Sequence, residues 1–304
     1  MDKTYAETVR LLLTAAPDVF ANDIFAMKGG TAINLFVQDM PRLSVDIDVV
    51  YTRRDISRDQ ALQEITTQLG VIADRLSRLG LQTRLVRSRD IGDTKLIVEN
   101  DRSQVLIEVN AVFRGTLLPV ERRRLSARTA EQFSVELELP ILAPDELYAS
   151  KLVAAMDRQH PRDLFDVWQL YQSGGITDAM LECFVTYLAG HNRPTHEVVF
   201  GNDRDITTDY HGGFAGMTEI EVSLATLLET RARLRQELPA RMTGQQRQFL
   251  IGLARARPDW RLLQCKHAAE LPALRWKLSN LETFQQRRPT DFERQAQLLE
   301  FRLS

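Results

Sequence analysis

Two short stretches of this chain hold residue types suited to phosphate chemistry. The first is Met27-Lys28-Gly29-Gly30-Thr31-Ala32; the second, starting thirteen residues past Thr31, is Ser44-Val45-Asp46-Ile47-Asp48-Val49-Val50. Val45, Ile47 and Val49 are β-branched and alternate with the acids, so the segment reads as a strand with Asp46 and Asp48 side by side on one face. Two carboxylates that close repel and raise one another's pKa unless a cation lies between them, which suits Mg²⁺ or Mn²⁺ bound through oxygen. Gly29 and Gly30 have no Cβ, so the backbone turns sharply and brings its N–H groups close to a triphosphate, with the Thr31 hydroxyl beside them. Thr31 to Phe36 reads as the start of a helix whose N-terminus faces the anion. Gly-Gly alone is usually just a turn, and Asp-x-Asp alone a solvated strand edge. Together, in this order and spacing, they make the layout of a metal-dependent nucleotidyl-transfer site.

Lys28-Gly29-Gly30-Thr31-Ala32 followed by Arg42-x-Ser44-x-Asp46-x-Asp48 resembles the AbiEii/AbiGii group of nucleotidyltransferase toxins, the type IV toxin–antitoxin and MenT-like proteins of the DNA polymerase β superfamily. The resemblance continues through Glu146-Leu147-Tyr148-Ala149-Ser150-Lys151, Arg158, Arg162-Asp163 and Asp166, which are similar to the family's lysine-bearing helix and its Arg-Asp-x-x-Asp helix. Gln248-Phe249-Leu250, Trp260 and the segment from Leu271 to Leu281 add weaker support. The resemblance implies catalytic roles for Asp46, Asp48, Glu108, Lys151 and Asp166, with Asp46, Asp48 and Glu108 as metal ligands. It implies a nucleotide site of Lys28, Gly29, Gly30, Thr31, Ser44 and Lys151, the ammonium of Lys151 contacting the triphosphate as a compact point charge. In MenT-like proteins the residue matching Ser44 can be phosphorylated as an off switch; a phosphate there would place about −2 charge beside two acids.

Glu108 also stands out by pattern. Val105, Ile107 and Val109 alternate with Leu106, Glu108 and Asn110, which puts an acid inside an otherwise apolar segment, costly unless it is paired, metal-bound or on a solvated strand face. Asp163 and Asp166 are three apart on one helical face, placed to hold Lys151 and Arg162 or to bind the nucleotide.

The elements that must position these residues are legible in outline. Val9, Leu12, Leu13, Val19 and Phe20 suggest an amphipathic helix, followed by a short strand Ile24 to Met27 and a helix to about Gln38 that Pro41 ends. Leu62, Ile65, Leu69, Ile72 and Leu76 recur three and four apart, predicting a long helix over Arg58 to Leu79 with Gly80 just past its end. Strands are expected over Gln82–Arg87, Thr94–Glu99, Gln104–Val112 and around Phe133 to Leu137. From Pro140 the pattern turns helical: Asp145–Met156, Arg162–Tyr171, Thr177–Ala189, Glu219–Glu237, Gly244–Ala256 and Ala269–Gln286, with the polar stretch Asn192 to Met217 expected as a loop. The fold class is therefore α+β, a polymerase β-like mixed-sheet domain over 1–139 followed by an all-helical domain over 140–304 that completes the site and binds the acceptor.

Bulk properties bound the rest. With 304 residues, 44% hydrophobic and 26% charged at net charge −2, the chain is long enough for two domains, and any basic surface is local. Cys183 and Cys265 fit reduced thiols, and the five scattered histidines offer no zinc site. The first residues lack the basic and apolar regions of a secretory signal and no apolar run reaches the ~20 residues of a membrane span, so a cytoplasmic protein with no membrane partner is expected. The helical half is rich in arginine, from Arg231, Arg233, Arg235, Arg241 and Arg247 to Arg255, Arg257, Arg261 and Arg275, with Lys266, Lys277, Trp260 and Trp276 nearby. Gathered on one groove these would bind RNA, whereas residue by residue they read as solvated helix faces and core. By resemblance, the expected activity is transfer of NMP from an NTP to an RNA acceptor, the tRNA 3′ end, inhibiting translation, within a toxin–antitoxin or phage-defence module whose cognate partner is an antitoxin protein or kinase. The alternatives are NMP transfer onto a protein hydroxyl and a non-catalytic, binding member of the family.

Overall fold

The computed structural model describes residues 3–87 and 94–304. Met1 and Asp2, where the N-terminal reading begins, lie outside the described residues. The chain divides into two compact units, Met1–Leu147 and Tyr148–Ser304, so the division falls inside a helix rather than at the expected Pro140.

The first unit opens with α1 (Lys3–Val19), whose Tyr5, Val9, Leu12 and Leu13 are buried. β1 (Phe25–Lys28) follows and ends where Gly29 takes φ +78°, a left-handed turn that starts α2 (Gly29–Ala32). A π-helical turn, Ile33–Val37, continues it, closed by Gln38 N–H donating to Ile33 O at 2.8 Å. β2 (Ile47–Tyr51) leads to α3 (Arg58–Arg78), which starts in a Ser57/Gln60 capping box and ends before Gly80 at φ +82°. Its buried stripe is Ala61, Ile65, Leu69, Ile72 and Leu76; Ala61 takes the innermost place expected of Leu62, because the helix phase follows the other four.

β3 (Gln82–Arg87), β4 (Thr94–Glu99), β5 (Gln104–Asn110), β6 (Glu121–Arg124), α4 (Ala127–Phe133) and β7 (Glu138–Ile141) complete the unit. Where a strand is expected around Phe133, α4 is found instead, capped by Ser126 and ended by Ser134 at φ 53°. Among the described residues these strands form one seven-stranded sheet in the order β3-β4-β5-β2-β1-β7-β6. β2 runs parallel to β5 and β1 parallel to β7, while the other neighbours are antiparallel, so the sheet is mixed.

α5 (Pro144–Asp157) carries the chain into the second unit. Glu146 in its first turn is 0% exposed, and its two carboxylate oxygens accept the Leu117 and Leu118 N–H groups, each at 2.9 Å. Glu146→Ala would leave both N–H groups buried without an acceptor, and charge-assisted bonds of this kind contribute ~1.5–3 kcal/mol each. A loss of roughly 3 kcal/mol in unfolding free energy is expected by urea titration; a loss below about 1 kcal/mol would contradict this role.

The second unit is helical: α6 (Pro161–Gln172), α7 (Asp178–Ala189), α8 (Thr195–Phe200), α9 (Thr207–Gly213), α10 (Leu224–Arg241), α11 (Gly244–Ala254), α12 (Pro272–Arg287) and α13 (Pro289–Leu303). The stretch expected as a loop over 192–217 contains α8 and α9, because Val198, Val199, Ile206 and Phe214 anchor an otherwise polar segment in the core. α10 starts at Leu224, after a Ser223 cap, rather than at Glu219. α13 lies beyond the expected elements, yet its buried Phe292, Ala296, Leu299 and Leu303 keep helical spacing. Cys183 is buried in α7; Cys265 is half-buried outside any α-helix. Among the described residues no helix is long and apolar enough to cross a membrane.

Candidate active site

In the first unit, strand register assembles a row of charges that sequence spacing does not show. Lys28 of β1 lies opposite Asp48 of β2, Asp48 opposite Glu108 of β5, and Glu108 opposite Lys95 of β4. Registered partners share a sheet face with Cβ atoms ~5 Å apart, so two acids sit side by side between two lysines. All four are partly exposed, while Ile47, Val49, Ile107 and Val109 on the other face are buried. Lys95 Nζ holds Glu108 Oε1 at 3.1 Å, a half-exposed pair. Asp46 is exposed and lies just before β2 rather than within it. The ladder with β1 ends at Asp48 and the ladder with β5 at Ile47, where the strand starts. Among the described residues no three His, Cys, Asp or Glu side chains are gathered so as to hold a metal ion.

The glycine turn packs directly on this row. A Cβ added at Gly29 would come within 2.0 Å of Asp48 Oδ2, and one at Gly30 within 2.5 Å of Arg42 Nη2 and 3.0 Å of Ser44 Oγ. Glycine is thus required at Gly29, for φ +78° and for the close approach of Asp48, while at Gly30 a Cβ would meet the end of the Arg42 side chain, which would have to shift. Thr31 and Ser44 share a hydroxyl–hydroxyl hydrogen bond of 3.0 Å. Asn34 ties the turn to the segment, donating Nδ2 to Gly30 O at 2.8 Å and accepting Arg42 N–H at 3.3 Å. Tyr5 reaches the same segment from α1: its hydroxyl oxygen accepts Ser44 N–H at 3.1 Å. Asp48 and Glu108, side by side, offer oxygen donors next to backbone that a Cβ at Gly29 would obstruct, and oxygen is the donor a hard divalent cation prefers.

The second unit holds the other candidates in one buried cluster. Lys151 Nζ donates to Asp163 Oδ1 at 2.7 Å and pairs with Asp166 Oδ2 at 3.0 Å; both carboxylates are 1% exposed. The residue expected beside them, Arg162, is exposed. Its place is taken by Arg158, whose Nε and Nη2 grip Asp163 Oδ2 and Oδ1 at 2.5 and 2.9 Å. His160-Pro161 resets the helix: His160 caps α6 with Arg162 in its first turn, while Arg158, before the break, reaches Asp163 with its guanidinium although most of its side chain is exposed. Burial by itself would raise the Asp163 carboxyl, but Lys151 and Arg158 overcome it and hold the group well below the ordinary carboxylate value. Two acids against two cations keep the buried cluster near neutral.

The arginines of the helical half are mostly engaged within the fold. Arg231 donates to Gln159 Oε1 and Arg204 O, Arg247 to Met242, Pro239 and Leu303 carbonyls, and Arg255 pairs with Glu293 and Glu300. Arg241 holds Asp178 and Glu237, and Arg261 holds Asp259. Lys277, 7% exposed, donates to the His191 and Arg193 carbonyls, each at 2.8 Å, and burial pushes it down to about 8. Trp260 packs against Phe249 at 5.6 Å between ring centroids, whereas Trp276 is 46% exposed. The residues absent from the sequence reading of the site are Tyr5, Lys95 and the pairing role of Arg158; for Arg158 a signal existed, since it lies two helical turns after Lys151.

A family model described as the nucleotidyl transferase AbiEii toxin of the type IV toxin–antitoxin system matches residues 10–280. Among solved structures, the chain is similar to MenT4, a nucleotidyltransferase toxin from Mycobacterium tuberculosis H37Rv, with a TM-score of 0.57 and 19% identity, covering 91% of this chain and 98% of that one. No curated protein sequence matches it.

Proposed function

Because the chain belongs to the AbiEii family of type IV toxin–antitoxin nucleotidyltransferases, we propose that it transfers NMP from an NTP to an RNA acceptor, the 3′ end of tRNA, and so inhibits translation. The observation that carries the donor half is the Asp48–Glu108 register pair lying against the Gly29 turn. A divalent cation, Mg²⁺ or Mn²⁺, would be held by Asp46, Asp48 and Glu108 and would supply neutralisation of the triphosphate charge. Gly29 and Gly30 present backbone N–H groups to the β- and γ-phosphates, with Lys28, Thr31 and Ser44 alongside. The acceptor hydroxyl oxygen bonds to the α-phosphorus, the bond from that phosphorus to the β-phosphate bridging oxygen breaks, and pyrophosphate leaves. Glu108, partly exposed, accepts the hydroxyl proton. Lys151 and Asp166 serve the nucleotide as the family resemblance implies, and a cognate antitoxin restrains the activity.

The test is to incubate the protein and its Asp46→Ala variant with each α-labelled NTP, Mg²⁺, total tRNA and total cell protein. Label in tRNA with wild type and at least about 100-fold less with Asp46→Ala is the expected result. Label in protein would replace the acceptor by a protein hydroxyl. No label from any NTP would overturn the enzymatic reading in favour of a binding member.

A further inference from the structure

We infer that Arg114 and Arg58 form a binding site for a phosphate-class oxyanion, separate from the Asp48–Glu108 row and independent of the activity proposed above. Arg114 is 5% exposed, and its Nη1 is buried without a hydrogen-bond partner. Among the described residues no carboxylate pairs with it. Burial lowers its pKa, and the charge that acts on it next is a second cation, Arg58, which lowers it further. A guanidinium nevertheless keeps its proton, so the cost of burying this charge is offset neither by water nor by an acid.

The surrounding backbone explains why the side chain stays inside. Val112 and Phe113 N–H donate to Asn110 Oδ1 at 3.0 and 2.9 Å, Gly115 N–H donates to Tyr51 O at 2.8 Å, and Glu146 holds Leu117 and Leu118. Arg114 is therefore pinned from both sides beside the last residue of β2, ~10 Å along the strand from Asp48. The acids at that end are already engaged: Arg53 holds Asp55 at 3.3 Å and Glu64 at 3.1 Å, and Tyr51 donates to Glu64 as well. Arg58 is exposed and is the first residue of α3, so its charge adds to the positive end of that helix dipole. Asp59, in the same turn, is exposed and pairs with neither arginine among the described residues. Two like charges with no acid between them are stabilised by an anion that both can meet, and phosphate oxygens match the guanidinium fork. The exposed Arg58 is the side that can move to admit it. Inorganic phosphate and a nucleic-acid backbone phosphate share this chemistry.

The test compares thermal melting of the whole protein in potassium chloride and in potassium phosphate of equal ionic strength, with inorganic phosphate affinity read by calorimetry. At phosphate about tenfold above its Kd, wild type should melt roughly 2–4 °C higher than in chloride. Arg114→Met removes a buried charge that has no partner, so it should melt at or above wild type in chloride and lose that rise. Arg58→Met, a surface change, should melt as wild type does in chloride and bind phosphate about 10-fold more weakly; it decides the matter alone if Arg114→Met fails to fold. A single-stranded ribo-oligonucleotide without terminal phosphates separates the sources: displacement of bound phosphate assigns the site to a nucleic-acid backbone, and retention assigns it to free phosphate. A wild type that phosphate does not stabilise, or a wild-type phosphate affinity in Arg58→Met, would overturn the inference and leave the Asp48–Glu108 site untouched.

Discussion

Asp48→Asn is expected to lose NMP transfer by roughly 10³-fold, since withdrawing one anionic ligand from a metal–triphosphate site costs several kcal/mol of transition-state stabilisation, about 1.4 kcal/mol per decade of rate. The fold should scarcely notice. Asparagine has the same shape, the position is only half-buried, and the substitution removes repulsion from the register partner Glu108. Unfolding free energy should therefore stay within about 1 kcal/mol of wild type. Label incorporation measured beside a urea titration separates the two effects. Retained transfer would remove Asp48 from the catalytic set, and a collapse of stability would make its role structural. Glu108→Gln should lose transfer at least as strongly, because it removes a ligand and the acceptor of the hydroxyl proton together.

The glycine turn and the Asp-x-Asp strand were legible because both are local: a few residues fix the backbone and the side-chain alternation there. What joins them was not. Asp48 meets Glu108 through parallel pairing of β2 with β5, strands separated in the chain by α3, β3 and β4, and no periodicity records which strand pairs with which. Tyr5 is hidden for the same reason, being 39 residues from Ser44 and on an ordinary amphipathic helix. The long helices α3, α7 and α11 were readable from apolar spacing together with Ser57, Thr177 and Thr243 caps. α8 and α9 were not, because one or two buried side chains in a polar stretch look like loop composition. The arginines of α10 show the converse limit: their number suggests a nucleic-acid face, but loop carbonyls and nearby acids take up most of them.

Lys151→Met should produce the largest stability loss, ~3–5 kcal/mol at neutral pH, because it strips the shared cation from two carboxylates that are 1% exposed. Arg158→Met should cost less, about 1 kcal/mol, since its side chain is 61% exposed and Lys151 still bridges both acids. Arg162→Met, on the exposed face, should change stability by no more than about 0.5 kcal/mol. The pH dependence distinguishes a charge effect from lost packing. In wild type the folded value of Asp163 lies below its ordinary 3.8, so its stabilising contribution is complete above about pH 4 and is lost as pH falls toward that folded value. Without Lys151, Asp163 keeps only part of the positive charge that holds its carboxyl down, its protonation becomes easier in the folded state, and the variant takes up a proton that unfolded chains do not. The stability gap between wild type and Lys151→Met should therefore narrow as pH drops from 7 to 4. Urea titrations at unit pH steps read it directly. A gap that stays constant over that range would mean that the lysine stem, rather than its charge, holds α5 to α6, and that Asp163 and Asp166 are not a paired buried cluster in solution.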